Sequence, residues 1–219
     1  KRVIGWGNSM GGLVTTALAE RKGARVIDGG IAMCASIGGA VGMMNMGLDG
    51  AFAFRTLVAP DAGIELVNIV QDDRANGRRV AEAVAAAGKT PEGRARMALA
   101  GVLGGLPGWA TRGSAEPDAD DGEGQAAELA SSIVMGLFMP RNDQEKRAGG
   151  AFSWNTGVDY RAQLALSGRR GLIETLYRKA GLDLDADLAR LNAAPRAAAA
   201  PVAVRYMMAH YVPNARPQV

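Results

Sequence analysis

Histidine and cysteine are almost missing from this 219-residue sequence: each occurs once, at His210 and Cys34. A single cysteine excludes an internal disulfide and any cysteine-based metal cluster, and leaves the compartment open between cytoplasmic and secreted. A single histidine leaves one imidazole that could serve a serine nucleophile as its base. Aromatic residues make up only 5% of the chain, and the net charge is +3, with 20 of the 25 basic residues arginines spread along its length. Stacking and phosphate-binding surfaces need basic runs interleaved with aromatics, and none exists, so nucleic acid is excluded as a partner. Long apolar runs are lacking too. Residues 31–46 are interrupted by glycines and Asn45, short of the roughly 20 apolar residues of a membrane span. The sequence as given does not open on Met or on a leader-like stretch. Lys1-Arg2-Val3-Ile4-Gly5 reads as the start of a buried strand, so the chain is expected to be a fragment or a processed product.

Glycine is abundant, with 30 residues, and one cluster carries a pattern: Gly7-Asn8-Ser9-Met10-Gly11, after the apolar Val3-Ile4 and before a run of small and apolar residues. The G-x-S-x-G spacing between a strand and a helix makes a nucleophile elbow. Serine is forced into a strained conformation, and glycines two residues to either side let strand and helix approach without Cβ clashes. Ser9 Oγ is then expected to stand exposed as the nucleophile. The Met10 backbone N–H, at the start of a helix, is expected to favour a developing oxyanion. Gly5-x-Gly7-x-x-x-Gly11 is also a variant of the dinucleotide fingerprint. Asp28, closing the next strand, would hold the ribose of a nicotinamide cofactor in an oxidoreductase. Met10 is bulky for that role, and a mononucleotide-binding half needs at least three strands. A non-enzymatic helical interaction module carrying a stray elbow is the third reading.

In chain order, residues 2–6, 9–21 and 24–36 read as strand, helix and strand of a parallel α/β unit. The second strand is almost continuously apolar, as expected of one covered on both faces, and Cys34 is expected to be a small buried core residue. Residues 37–46, rich in glycine and methionine, read as a flexible connection. Helical patterns then dominate, over 48–59, 73–87, 91–103, 125–139, 159–180, 185–192 and 200–211, with 64–70 a short strand or an extended segment. This predicts a partial α/β core at 1–36 followed by a helical cap or lid at 37–212. Within the helical part, Glu116-Pro117-Asp118-Ala119-Asp120-Asp121-Gly122-Glu123 lacks the calcium-loop spacing. Gly122 stands at the fifth ligand position and Leu129 at the twelfth, so the stretch reads as a solvated loop. Trp154 is expected to anchor the helical core, Thr156 or Asp159 to cap the helix that follows, and Asp183 or Asp185 to cap another. His210 falls on an amphipathic helix and reads as a surface or helix-end residue.

The elbow Gly7-Asn8-Ser9-Met10-Gly11-Gly12, the following Ile27-Asp28-Gly29-Gly30-Ile31-Ala32-Met33-Cys34 and the stretch Trp154-Asn155-Thr156-Gly157-Val158-Asp159-Tyr160 resemble bacterial α/β-hydrolases with a large helical insertion. The Ala- and Arg-rich composition is similar to actinobacterial members. The resemblance implies that the elbow follows the fifth strand of the sheet and that residues 25–34 form the sixth. It places the oxyanion loop before Lys1 and the acid-bearing seventh strand and the histidine loop after Val219, with residues 213–219 returning toward that further core strand. It implies a serine hydrolase acting on a small-molecule carboxylic ester through an acyl-enzyme on Ser9, with the Met10 N–H in the oxyanion hole. No cofactor is implied, and the triad acid and base would come from other segments of the same protein. Asn8 departs from the histidine often found before the serine.

Overall fold

The computed structural model describes residues 1–197, apart from Lys22, Ala24, Ser36, Gly38, Gly39, Val70, Gln71, Pro140 and Gly149. The chain divides into two compact units, Lys1–Met44 and Asn45–Val202.

In the first unit, strand β1 (Ile4–Asn8) leads through Ser9 into helix α1 (Met10–Ala19), and the chain returns in strand β2 (Gly29–Met33), parallel to β1. The register runs from Ile4 opposite Gly29 to Asn8 opposite Met33. Parallel neighbours need a crossover, and α1 supplies it. It packs on the face that carries Gly5, Gly7 and Gly30, where the buried Thr15 lies against Gly30: a Cβ there would come within 2.9 Å of its methyl. Thr15 and Thr16 return their hydroxyls to the carbonyls of Gly11 and Gly12, so neither is left unsatisfied inside the helix.

Two expectations for this unit fail, the length of β2 and the burial of Cys34. β2 is five residues long rather than thirteen, and among the described residues one of its faces is open, with Ile31 and Met33 exposed beside Ile4 and Trp6. Continuous apolarity marks a strand suited to two-sided burial, but among the described residues only α1 packs on this pair. Cys34 is exposed, not core. It sits just past the strand end at φ 48°, where the backbone turns away.

The second unit is helical. α2 (Ala40–Leu57) begins eight residues earlier than the pattern predicts and takes in most of the supposed flexible connection. Methionine is a good helix former, and a Cβ at Gly42 would meet nothing, so its glycines cost propensity without breaking the helix. α3 (Asp73–Ala87), α4 (Pro91–Leu103), α5 (Gly122–Leu137), α6 (Asn142–Ala148), α7 (Tyr160–Leu166), α8 (Arg170–Lys179) and α9 (Leu184–Ala193) follow. Side-chain oxygens of Asp72, Thr90, Asp121, Asp159 and Asp183 accept from the first free N–H groups of α3, α4, α5, α7 and α9, each cap worth about 1 kcal/mol. The helix expected over 159–180 is two helices, parted at Ser167-Gly168-Arg169, where Gly168 takes φ 68°. Residues 64–69 form no strand. Their buried Ile64, Leu66 and Ile69 are held instead by side chains: Asn76 exchanges two hydrogen bonds with the Glu65 backbone, and Glu145 accepts from Ile69 N–H.

α4 lies at the middle of this unit, with Ala95 and every residue from Met97 to Leu103 buried. α2 approaches its end closely, since a Cβ on Gly50 would stand 2.6 Å from Gly104 Cα. Arg96 reaches from α4 to Asp187 at 2.7 Å, and Tyr177 donates to the same carboxylate. A second polar cluster is deeper. Tyr160, stacked on Phe52, donates to Asp49 at 3.0 Å and accepts from Asn155, while Gln163 donates to both Asp49 and the Leu103 carbonyl. Burial raises the Asp49 carboxyl from 3.8 to about 6, against the lowering pull of Tyr160 and Gln163.

A carboxyl with a raised native pKa holds its proton more tightly folded than unfolded, so stability falls as pH rises from about 4 to about 6. Asp72, Glu128 and Asp159, held below the usual carboxylate range mainly by hydrogen bonds to their charged forms, pull the other way at the acid end. Comparing wild type with Asp49→Asn therefore isolates the effect. In urea unfolding at pH 4.5 and pH 7, wild type should lose on the order of 2 kcal/mol more than Asp49→Asn on going to pH 7. Equal pH dependence in the two proteins would refute a neutral Asp49.

Candidate functional site

The turn from β1 to α1 consists of one residue. Ser9 has φ 53° and ψ −119°, a region that side chains with a Cβ rarely occupy, at a cost of about 1–3 kcal/mol. Its N–H donates to the Met33 carbonyl at 2.8 Å, tying the turn to the carboxyl end of β2. Its carbonyl accepts from Gly12 and Leu13 N–H and so starts the helix. The hydroxyl does not cap that helix, and the residue is exposed. An ordinary N-cap serine sits in the β region with its hydroxyl on the N2 or N3 amide, and Ser9 does neither.

Met10 occupies the first helical position, where an N–H has no partner within its own helix, and its side chain is 79% exposed. The helix dipole adds partial positive charge at the same place. Chemically, the arrangement presents a free hydroxyl beside an amide suited to an anionic oxygen. Among the described residues no carboxylate or imidazole is bonded to Ser9, and His210 lies outside them.

The glycines of the motif do different work from that expected. A Cβ at Gly7 would run into the Gly11 carbonyl, and one at Gly12 would stand 2.8 Å from Ala35 Cβ and 3.0 Å from the Met33 carbonyl. A Cβ at Gly11 would meet nothing. The close approach therefore depends on Gly7 and Gly12, with Gly11 contributing its carbonyl. The sequence marks the pair Gly11-Gly12 as a place of close helix packing, and of the two it is Gly12 that meets the strand end.

Asp28 corrects the dinucleotide reading. It precedes β2 rather than closing it: its N–H donates to the Val3 carbonyl and its carboxylate accepts from Val3 N–H at 2.7 Å. It thus lies at the amino ends of the strands, five rungs and about 16 Å from the turn. A pyrophosphate on the glycine turn and a ribose on Asp28 are incompatible. Gly5 also has a packing role, its Cβ position 3.1 Å from the Ile27 side chain.

The remaining expected sites are structural. Asp121 caps α5, the carbonyls of Asp118 and Ala119 accept from Gln125, and among the described residues no cluster of His, Cys, Asp and Glu is arranged to hold a metal ion. In the Phe152–Tyr160 stretch, Phe152, Ser153, Asn155 and Tyr160 are buried, and Asn45 accepts from Trp154 N–H. Among the described residues no helix is long and apolar enough to cross a membrane.

No protein-family model matches the chain, and no solved structure matches it significantly. It is similar to the o-phthalyl amidase of Xanthobacter agilis, with 31% identity over 232 aligned positions that cover 94% of this chain and 51% of the relative. The chain thus spans about half the length of this curated relative.

The uneven roles of the three glycines set a measurable order. Gly7→Ala and Gly12→Ala should each destabilise the βαβ unit by about 2–3 kcal/mol, because backbone atoms cannot move aside. Gly11→Ala, at a helical and open position, should be neutral or stabilising by up to about 1 kcal/mol. Hydrogen-exchange protection of α1 amides reads this locally. Comparable losses in all three variants would contradict the geometry.

Proposed function

We propose that the chain carries the nucleophile of a serine hydrolase of the α/β-hydrolase type, which transfers an acyl group from substrate to Ser9 and then to water. The observation that carries this reading is the strained, exposed, non-capping Ser9 at a one-residue turn between strand and helix. In the acylation step Ser9 Oγ attacks the carbonyl carbon and passes its proton to a base. The carbonyl oxygen becomes an anion and accepts from the Met10 N–H. Collapse expels the leaving group, protonated by the same base. Hydrolysis of the acyl-enzyme repeats the sequence with water as nucleophile.

The acid and base of the triad lie in segments of the protein outside the residues described, as does the second oxyanion donor. The exposed face of Ile4, Trp6, Ile31 and Met33 supports this, because so much apolar surface on a two-stranded sheet marks a face that another segment covers. So does a relative about twice the length that the chain spans.

The scissile bond is a carboxylic amide or ester. Both pass through the same acyl-enzyme, and the relative's name gives the amide, with an aromatic ortho-dicarboxyl acyl group, the first place among substrates to try. Acyl transfer of this kind uses no cofactor.

A fluorophosphonate probe applied to the protein carrying this chain should label it stoichiometrically, and Ser9→Ala should abolish labelling. Hydrolysis of a phthalyl monoamide or an activated ester should fall at least about 10³-fold in the same variant. Retained labelling in Ser9→Ala would remove Ser9 from the reaction.

A further inference from the structure

The helical unit places Arg55 and Arg190 on the walls of one cleft of about 500 Å³, completed by Phe52, Thr56, Pro60 and the turn Ala193-Ala194-Pro195. Arg55 is in the last turn of α2 and Arg190 in the last turn of α9. Among the described residues no acidic side chain lines the cleft. Elsewhere in the unit Arg94, Arg96, Arg141, Arg161 and Arg170 each pair with a carboxylate, of Glu123, Asp187, Glu145, Asp185 and Glu174, and Arg79, Arg169, Arg178 and Arg196 donate to backbone or hydroxyl oxygens. Among the described residues Arg55 has no ion pair and no hydrogen bond. Its guanidinium lies 5.9 Å from the centre of the Phe52 ring, partly withdrawn from water, and burial alone lowers its pKa. A cation at a helix C-terminus is favoured by the dipole, which explains either arginine separately. It does not explain why two helix ends bring their arginines to the same apolar-walled cleft with no counter-charge.

We propose that this cleft is a binding site for a small organic carboxylate, whose charged group is held between Arg55 and Arg190 while its hydrocarbon body lies against the exposed Pro60 and Pro195. Guanidinium forks match the two oxygens of a carboxylate. The volume is in the range of small-molecule sites, which combine apolar walls with a few convergent polar groups. The Thr56 hydroxyl is a further donor at the same wall. The apolar lining separates this ligand class from a bare inorganic anion, which would gain nothing from a proline and alanine surface. The proposal stands independently of the role given to Ser9.

Calorimetric titration of the protein with benzoate, benzamide and inorganic phosphate tests it. Benzoate should bind saturably, while the neutral benzamide and phosphate should bind at least about 10-fold more weakly. Arg55→Gln and Arg190→Gln should each weaken benzoate at least about 10-fold, the loss expected when a charge-assisted hydrogen bond is removed. Arg190 is exposed, so its replacement leaves the core untouched and carries the test if Arg55→Gln melts early. Thermal melts of the unliganded variants serve as the folding control. No benzoate binding at 10 mM, benzoate affinity unchanged in both variants, or phosphate binding as tightly as benzoate would each overturn the proposal.

Discussion

A strand and a helix joined by a single residue must lie backbone against backbone, and the first unit of this protein depends on that constraint. With Ser9 as the whole connection, α1 leaves β1 at once, and only positions without a Cβ fit between them. Gly7 faces the Gly11 carbonyl, Gly12 the end of β2, and Gly30 the Thr15 methyl. Each missing methyl lowers the entropic stability of the segment, and the return is a strand pair whose register is pinned at both ends. Ser9 N–H meets the Met33 carbonyl at one end, and Val3 and Asp28 exchange two hydrogen bonds at the other.

The helical unit solves a different problem. Its helices are short, and short helices leave many free end groups to satisfy. Four aspartates and one threonine cap their starts, and buried carboxylates serve the connections: Glu145 takes the Ile69 amide, and Glu128 the amides of Ala110 and Thr111. Charges placed inside in this way are tolerated because each is bonded. Asp49, bonded only to neutral donors in a buried setting, instead moves toward its neutral form.

Much of this was written locally in the sequence. The βαβ order, the elbow and the boundaries of α3 and α4 followed from short-range signals: apolar runs, an N-cap before Pro91, a glycine pair. Three of the differences share one cause. The length of β2, the exposure of Cys34 and the early start of α2 depend on which neighbours are present, and residue patterns record what a segment suits, not what covers it. Ser167-Gly168-Arg169 was missed because one glycine inside an apolar period resembles a tolerated helix glycine. At the candidate site, Ser9 and Met10 were legible from spacing. Which glycine of the pair Gly11-Gly12 is sterically required depends on the strand end opposite them, and that is a tertiary feature. Arg55 and Arg190, 135 residues apart, carried no local signal at all.

Strain offers the firmest ground for placing chemistry at Ser9. A glycine at that position would make the same turn without the penalty of a Cβ at positive φ. A serine serving the helix would return the cost by capping it, and this one does not. Its packing is no compensation, since the residue is exposed. What remains is the hydroxyl itself, held out beside a free amide at the positive end of a helix. A fold stable by only about 5–15 kcal/mol gives up a perceptible share of that margin here. The hydroxyl gains from it a fixed position that a relaxed turn would not give.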